Sequence, residues 1–250
     1  MKYLVFDLEF NQHFPIVKGE KNIASPTCPF EIIQIGAIKL DENLNTISRF
    51  DYLIKPEIYP ELHPYVKDLT GLTLEELNAA PPFNEVYNNL AKFIASDVFT
   101  LCVWGMCDIK ELFRNIIYHG LDTSLIPTEY INLQAYISKY LNCPRGTFVG
   151  LHRAVELLEI PVSAQFHNAL NDAFYTAEIF KKVYDSTIQP KPYDPTNMTI
   201  RPKRRKSVID FDKLLQQFEK MYARKMTEEE QEMIKLAYKM GRTSQFLKDV

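Results

Sequence analysis

Two acidic residues stand close together near the start of the chain. Asp7 and Glu9 follow the apolar run Tyr3–Phe6, which is typical of a buried first strand. Side chains alternate along a strand, so both carboxylates project from one face while Leu8 projects from the other. Adjacent carboxylates repel one another unless a cation lies between them, and the pair therefore indicates a metal site. A solvated strand end is the alternative, because acidic residues are common there too.

Three more residues with suitable chemistry occur later in the chain. Asp108 follows the buried segment Phe99–Trp104 and opens a predicted helix, a position where α/β sheets place functional groups. Asp172 lies in the first turns of another predicted helix, and His167 precedes that helix in a loop. Each acid is also compatible with a plain helix N-terminal residue, which the helix dipole favours, and the histidine with a surface side chain.

The predicted secondary structure changes along the chain, from strands alone to strands that alternate with helices. Apolar and β-branched runs predict five strands, at residues 3–9, 31–41, 47–54, 99–104 and 131–133. Apolar residues at helical spacing predict helices at residues 83–94, 108–118, 134–141, 150–158 and 168–184. Residues 60–82 are rich in turn signals and are expected to be irregular. Strands first, followed by alternation with helices, predict an α/β protein with a mixed sheet flanked by helices.

Composition narrows the class of protein. The 250 residues are 46% hydrophobic and 24% charged, the profile of an ordinary soluble globular protein. No run approaches the roughly 18 apolar residues of a membrane span, and the N-terminus is expected to be a buried strand and not a signal peptide. The cysteines lie far apart and outside any CxxC pair, at Cys28, Cys102, Cys107 and Cys143. This spacing disfavours a zinc site and a disulfide framework, so we expect a cytoplasmic protein with reduced thiols and no membrane contact.

Charge is distributed unevenly along the chain. Residues 1–189 contain 15 Lys and Arg against 23 Asp and Glu, a net −8, whereas residues 190–250 contain 14 against 9, a net +5. A proline-rich segment marks the change, so we predict a folded domain at 1–188, a basic linker at 189–208 and a helical extension at 209–250. The basic cluster of the linker consists of Arg201, Lys203, Arg204, Arg205 and Lys206. It is a candidate for binding nucleic acid phosphates, with a solvated linker or a nuclear-import signal as alternatives.

The extension contains two predicted helices, at residues 210–224 and 227–240. The first carries an apolar stripe made of Phe211, Leu214, Leu215, Phe218 and Met221. The second opens with Thr227-Glu-Glu-Glu230, which matches a capping box. The stripe must pack against something: the folded domain, the second helix in a small helical unit, or a protein partner.

Taken together, the chemically suitable residues form an ordered set. An Asp-x-Glu pair on a first strand, an aspartate after a later strand and a late His-x4-Asp resemble the DEDDh 3′–5′ exonuclease family of the RNase H-like superfamily. The chain is most similar to the branch of histone-mRNA and small-RNA trimming exoribonucleases and their bacterial relatives. The supporting motifs are Glu31-Ile-Ile-Gln-Ile-Gly-Ala37, Leu69-Thr-Gly-Leu-Thr73, Ala80-Pro-Pro-Phe83, Trp104-Gly-Met-Cys-Asp108 and the segment from Gly150 to Leu158. The resemblance covers about residues 1–185 and departs at Asn171, where relatives often carry a second acid. We expect this departure to leave activity intact.

The resemblance implies an RNase H-like fold, with a mixed five-stranded sheet flanked by helices and a small helical C-terminal extension. It implies a 3′–5′ exonuclease that releases nucleoside 5′-monophosphates from the free 3′ end of single-stranded nucleic acid. Asp7, Glu9, Asp108 and Asp172 would hold two divalent cations, Mg²⁺ or Mn²⁺, and His167 would act as general base. RNA is the expected substrate, and a proofreading-type exodeoxyribonuclease of the same mechanism is the alternative. A non-catalytic nucleic-acid-binding protein is a further alternative, against which the complete five-residue set argues.

The same resemblance suggests two contacts with substrate bases. Phe10 adjoins the acidic pair, and Leu72 lies in the turn-rich segment. Apolar side chains in such sites stack on bases without reading their sequence. Ordinary core packing explains both residues equally well.

Overall fold

The computed structural model describes residues 1–13, 25, 27–144, 146–197 and 209–242, and the chain divides into two units. Residues 1–200 form the first unit and residues 201–250 the second. The predicted basic cluster at residues 201–206 and most of the polar stretch between residues 11 and 29 lie outside the described residues. None of the described helices combines the length and the apolar character that a membrane crossing needs.

A mixed β-sheet forms the centre of the first unit. Its strands are β1 (Lys2–Gln12), β2 (Phe30–Leu40), β3 (Thr46–Leu53), β4 (Phe99–Val103), β5 (Glu129–Asn132) and β6 (Lys191–Pro192). Within the described residues they lie in the order β3-β2-β1-β4-β5-β6. The pairs β1–β4 and β4–β5 are parallel, and the other pairs are antiparallel.

This sheet confirms the predicted α/β class and corrects the predicted number of strands. Five strands were expected, and β6 adds a sixth in the described part of the chain. It forms where two residues of the proline-rich segment pair with β5 at the edge of the sheet. An edge strand tolerates proline because its outer side needs no backbone donor. The start of the predicted linker is therefore fastened to the sheet.

The helices of the first unit follow the predicted order, with one exception. They are α1 (Pro64–Thr70), α2 (Leu74–Ala79), α3 (Phe83–Ile94), α4 (Cys107–Tyr118), α5 (Leu133–Tyr140), α6 (Leu151–Leu157) and α7 (Ala169–Val183). The prediction that residues 60–82 are irregular was wrong, because α1 and α2 lie there. End signals specify these short helices: Gly71 ends α1 at a φ of 74°, and Thr73 with Glu76 forms a capping box at the start of α2.

Strand β1 separates two apolar layers through the alternation of its side chains. Leu4 and Leu8 pack in the layer that contains α3 and α4. Tyr3 and Val5 pack in the opposite layer with α7, where the ring of Tyr3 lies 4.9 Å from that of Phe180. Both faces of β1 are therefore covered, which is the burial expected of a central strand in such a sheet.

The N-terminus of α7 approaches the sheet unusually closely at Gly36. This glycine lies opposite Asp7 in the β1–β2 pairing. A Cβ atom at Gly36 would meet the backbone of Ala169 and Leu170 at 2.1 Å, closer than atoms can approach. The N–H of Ala169 also donates to Oε1 of Gln34 over 3.1 Å. The first turn of α7 is thereby seated directly on β2.

The described part of the second unit is a pair of helices. They are α8 (Phe211–Tyr222) and α9 (Glu228–Arg242). The rings of Phe211 and Tyr238 pack edge to face at 5.7 Å, and Met226 between the helices is buried. The predicted capping box is confirmed, with Thr227 N–H donating to Glu230 over 2.9 Å and Glu230 N–H donating to Thr227 Oγ1 over 3.3 Å. Part of the apolar stripe of α8 is thus covered within the unit, while its last member, Met221, is exposed.

We predict that Gly36→Ala destabilises the protein by about 2 kcal/mol or more, because an added methyl group must push α7 away from β2. Urea unfolding measures the loss. The matched control is Gly150→Ala, since a Cβ atom there meets nothing within 4 Å and its φ of −73° suits any residue. Equal stability of the two variants would show that the close approach does not hold α7 in place.

Candidate active site

The Asp7–Glu9 pair lies on the face of β1 that α7 covers. The two acids continue the alternation of Tyr3 and Val5, which pack against α7. Same-face projection was predicted from the spacing, and the electrostatic interaction of both acids with Asp172 of α7 agrees with it. The carboxylates therefore face a helix and not open solvent, which removes the solvated strand end as an explanation.

Asp172 and His167 are held by the turn that precedes α7. Asn168 caps the helix by accepting the N–H of Asn171 over 3.2 Å. His167 has a φ of 63°, in the left-handed region, and its N–H donates to Oδ2 of Asp172 over 3.2 Å. The side chain of Asn171 turns away to donate to the carbonyl of Gln165 over 2.9 Å. The departure at Asn171 thus concerns a residue bonded to the loop.

Asp108 reaches the same edge of the sheet from β4. Strands β1 and β4 are parallel, with Val5 opposite Cys102, so their carboxyl ends lie side by side. The chain turns at Gly105, which has a φ of 99°, and α4 begins two residues later. Asp108 is therefore in the first turn of α4, where only 6% of it is exposed. A plain helix N-terminal acid is normally solvated, so its burial favours a functional role.

Burial raises the pKa of all four carboxylates, and the charges of neighbouring acids add to the rise for three of them. Burial, followed by the charges of the other three, raises the pKa of Asp7 well above its usual range. Burial and the nearby Asp172 and Asp108 raise the pKa of Glu9 to about 8. Burial is also the main cause for Asp108, whose pKa rises to about 7, and for Asp172, whose pKa rises to about 6. The protein thus holds four acids where their ionised forms are unfavourable.

The arrangement fits a divalent cation. Oδ1 of Asp172 is buried and has no hydrogen-bond partner among the described residues, whereas Oδ2 accepts the N–H of His167. Glu9, His167 and Asp172 each present one ligand atom, and these atoms lie within 4.8 Å of one another. At a pH where the acids are ionised, an unsatisfied oxygen beside repelling carboxylates is stabilised by a bound cation.

The two residues suggested as base contacts lie partly in the core. Phe10 is half-buried, packs against the layer of α3 and α4, and its ring lies 6.2 Å from that of Phe30. Leu72 is half-buried against a small cluster with Val66 and Leu77. Each is therefore packed on one side and open on the other, as both interpretations allow.

Two buried polar residues near the acids escaped the sequence prediction. The carboxylate of Glu31 accepts the backbone N–H groups of residues 57–59. The side-chain amide of Asn11 donates to the carbonyls of Tyr59 and Glu61, and its oxygen accepts the N–H of His63. Together they fix the segment that leads into α1. The sequence signal for both residues is a polar side chain at one end of an aliphatic strand. Only the fold shows which backbone groups that side chain satisfies.

The amino-acid sequence is similar to those of known exonucleases. The family model for RNase T-type exonucleases matches residues 4–180, more than half of the chain. The probable 3′–5′ exonuclease KapD of Bacillus subtilis is 25% identical over 169 residues, which cover 66% of this chain and 80% of KapD. Human ERI1 exoribonuclease 3 is 24% identical over 165 residues, which cover 61% of this chain and 48% of that protein. The chain therefore spans about half the length of the latter relative.

The fold also has a solved counterpart. The nuclease domain of 3′hExo, a DEDDh family member solved with rAMP, superposes with a TM-score of 0.63 over 77% of this chain and 96% of that domain. At 19% sequence identity this likeness concerns the fold alone. It confirms the RNase H-like fold that the sequence resemblance implied.

We predict that Asp108→Asn stabilises the metal-free protein. The raised pKa values mean that the folded acids keep protons to higher pH than the unfolded ones, so wild-type stability falls as pH rises from about 4 to about 8. Removing one charge should recover on the order of 2 kcal/mol near pH 8 and little near pH 4. Urea unfolding in EDTA at both pH values measures this. A wild-type protein that is more stable at the higher pH would contradict the electrostatic account.

Proposed function

The chain belongs to the exonuclease family, and on that premise we propose that it is a two-metal-ion 3′–5′ exonuclease acting on single-stranded nucleic acid, with RNA preferred over DNA. Its products are nucleoside 5′-monophosphates. The observation that carries the proposal is the group of Glu9, His167 and Asp172, whose ligand atoms lie within 4.8 Å of one another and which includes a free buried carboxylate oxygen. The charges of Asp7 and Asp108 act on the same group. The preference for RNA is supported by the similarity of the chain to human ERI1 exoribonuclease 3.

The metal ligands of the proposal are Asp7, Glu9, Asp108 and Asp172. An all-oxygen set favours Mg²⁺ or Mn²⁺ over zinc. Two such cations, when bound, supply charge neutralisation, a water of lowered pKa and stabilisation of the leaving 3′ oxygen. The two carboxylate oxygens of Asp172 would have different partners. Oδ2 accepts the N–H of His167, and Oδ1 is left to bind the cation.

His167 is the general base of the proposal. Its left-handed backbone and its N–H bond to Asp172 hold the residue at the mouth of the acidic cluster. One of its imidazole nitrogens lies within 4.8 Å of ligand oxygens of Glu9 and Asp172, close enough to accept a proton from a water positioned between them. The side chain is exposed, so the proton can pass on to solvent.

Substrate contacts outside the acids are part of the same proposal. Phe10 and Leu72 are half-buried and would offer their open sides to the bases of the substrate. The basic residues between 201 and 206 would attract the phosphate backbone in a salt-dependent way. The helices α8 and α9 would serve as a small appendage to which a protein partner binds, and the protein would act in the cytoplasm.

We predict that the protein shortens 5′-labelled single-stranded RNA stepwise from the 3′ end in Mg²⁺ or Mn²⁺ and not in EDTA. DNA of the same sequence should be degraded more slowly. Gel electrophoresis of time courses measures both, and Asp7→Asn, which keeps the shape of the side chain, should be inactive. Faster degradation of DNA would favour the exodeoxyribonuclease alternative. Tight binding without degradation would favour a binding protein and overturn the proposal.

We predict that His167→Asn lowers turnover by about 10²–10⁴-fold, because the general base is lost. Asparagine tolerates the left-handed backbone at this position, so the turn before α7 should persist. Calorimetric titration with Mn²⁺ should give an affinity close to that of the wild type. A large loss of Mn²⁺ affinity would instead make His167 a metal ligand, a role that its distance from Glu9 and Asp172 also permits.

A further inference from the structure

A group of three side chains, here called the α6 ledge, lies next to the turn that carries His167. It consists of His152, Arg153 and Phe166. The ring of Phe166 meets the imidazole of His152 edge to face at a centroid distance of 4.6 Å. The side chains of His152 and Arg153 are each 64% exposed. An aromatic surface with a guanidinium beside it therefore opens to solvent next to the turn that carries His167.

Helix α7 fixes the distance between the ledge and the acids. Tyr175 lies three residues after Asp172, so the two side chains share one face of α7, within a single turn of about 5.4 Å. The ring of Phe166 stacks on that of Tyr175 at 4.6 Å, with 25° between the planes. The ledge thus rests on a residue one helical turn from a proposed metal ligand.

The ledge is built rigidly. The hydroxyl oxygen of Tyr175 accepts the N–H of Ser163 over 3.1 Å and the N–H of Ala164 over 2.7 Å, and the hydroxyl donates to the carbonyl of Ala164 over 2.6 Å. Tyr175 is fully buried, so the ring beneath Phe166 has a fixed position. A preorganised aromatic surface loses little entropy when a flat ligand stacks on it.

One acid restrains the ledge electrostatically. Glu156 lies 3.7 Å from Nε2 of His152 and 2.8 Å from an Nη nitrogen of Arg153. These exposed pairs contribute little to stability. Their effect on a polyanion is larger, because Glu156 partly cancels the positive charge that would attract it.

We propose that the α6 ledge binds the nucleotides that directly precede the 3′-terminal nucleotide of the substrate. The exposed face of the His152 ring stacks on a base, as aromatic side chains do with single strands irrespective of sequence. Arg153 donates to the adjoining phosphate, for which its planar guanidinium is suited. This inference rests on the proposed exonuclease function and specifies its substrate as a single-stranded 3′ tail of at least three nucleotides.

The ledge should appear in the dependence of activity on substrate length. We expect His152→Ala and Arg153→Ala each to lower, by about tenfold, the ratio of kcat/KM for an RNA of about ten nucleotides to kcat/KM for a dinucleotide. The loss should lie in KM for the longer RNA. Glu156→Gln should change the same ratio in the opposite direction, because it releases the guanidinium of Arg153 from its ion pair.

Two controls separate this effect from a general one. Lys92→Ala removes an exposed cation from α3, which packs in the layer on the other side of the sheet from α7, and should leave the ratio unchanged. An equal loss on both substrates in the ledge variants would indicate damage to the acidic cluster and overturn the inference. So would an unchanged ratio, or a Glu156→Gln variant that behaves like His152→Ala.

Binding distinguishes a failure of the ledge from a failure of the proposed function. Fluorescence anisotropy with the longer RNA is measured in an Asp108→Asn background, in which cleavage is not expected. About tenfold weaker binding on adding His152→Ala supports the ledge even if the wild type degrades nothing. Unchanged binding in that background overturns the ledge and leaves the exonuclease proposal standing if the wild type is active.

Discussion

Repulsion among four carboxylates is the constraint on which the rest of the first unit depends. Burial raises the pKa of each acid, and neighbouring charges raise those of Asp7, Glu9 and Asp108 further, so the ionised cluster works against folding. The fold must therefore hold the acids together with interactions placed elsewhere. It does so with elements that are rigid and buried: a central strand covered on both faces, a parallel neighbour, and two helices that begin at the cluster.

Helix α7 makes most of the contacts that hold the acids together. Gly36 lets its first turn rest on β2, Gln34 accepts the N–H of Ala169, and Asn168 caps the helix. These contacts bring Asp172 to Asp7 and Glu9 without any help from the acids themselves. A cation bound at the cluster, as proposed, would give the free oxygen of Asp172 the partner that the described residues do not provide. Metal binding would then be coupled to stability.

The turn before α7 connects the acidic cluster with the α6 ledge. His167 adopts a left-handed backbone and binds Asp172 through its N–H, while the next ring along the chain, Phe166, stacks on Tyr175. The same turn thus orients a candidate base towards the acids and an aromatic ring away from them. The Cα atoms of consecutive residues are about 4 Å apart, so this turn can place a proton acceptor and an aromatic ring close together.

Local patterns in the sequence predict the candidate acids and most of the elements in order, because alternation in β1 and the apolar periodicity of α3, α4 and α7 are local properties. They also carry the resemblance to a family of exonucleases, through residues that stand in a fixed order. Three features emerge only in the folded chain: Gly36 admits α7, Asn11 and Glu31 fasten the segment before α1, and β6 adds to the sheet. The helices α1 and α2 were missed for a related reason, since caps and packing specify them more than periodicity does. Such contacts join residues far apart in the chain, and no local pattern records which partner a buried polar group or a glycine will meet.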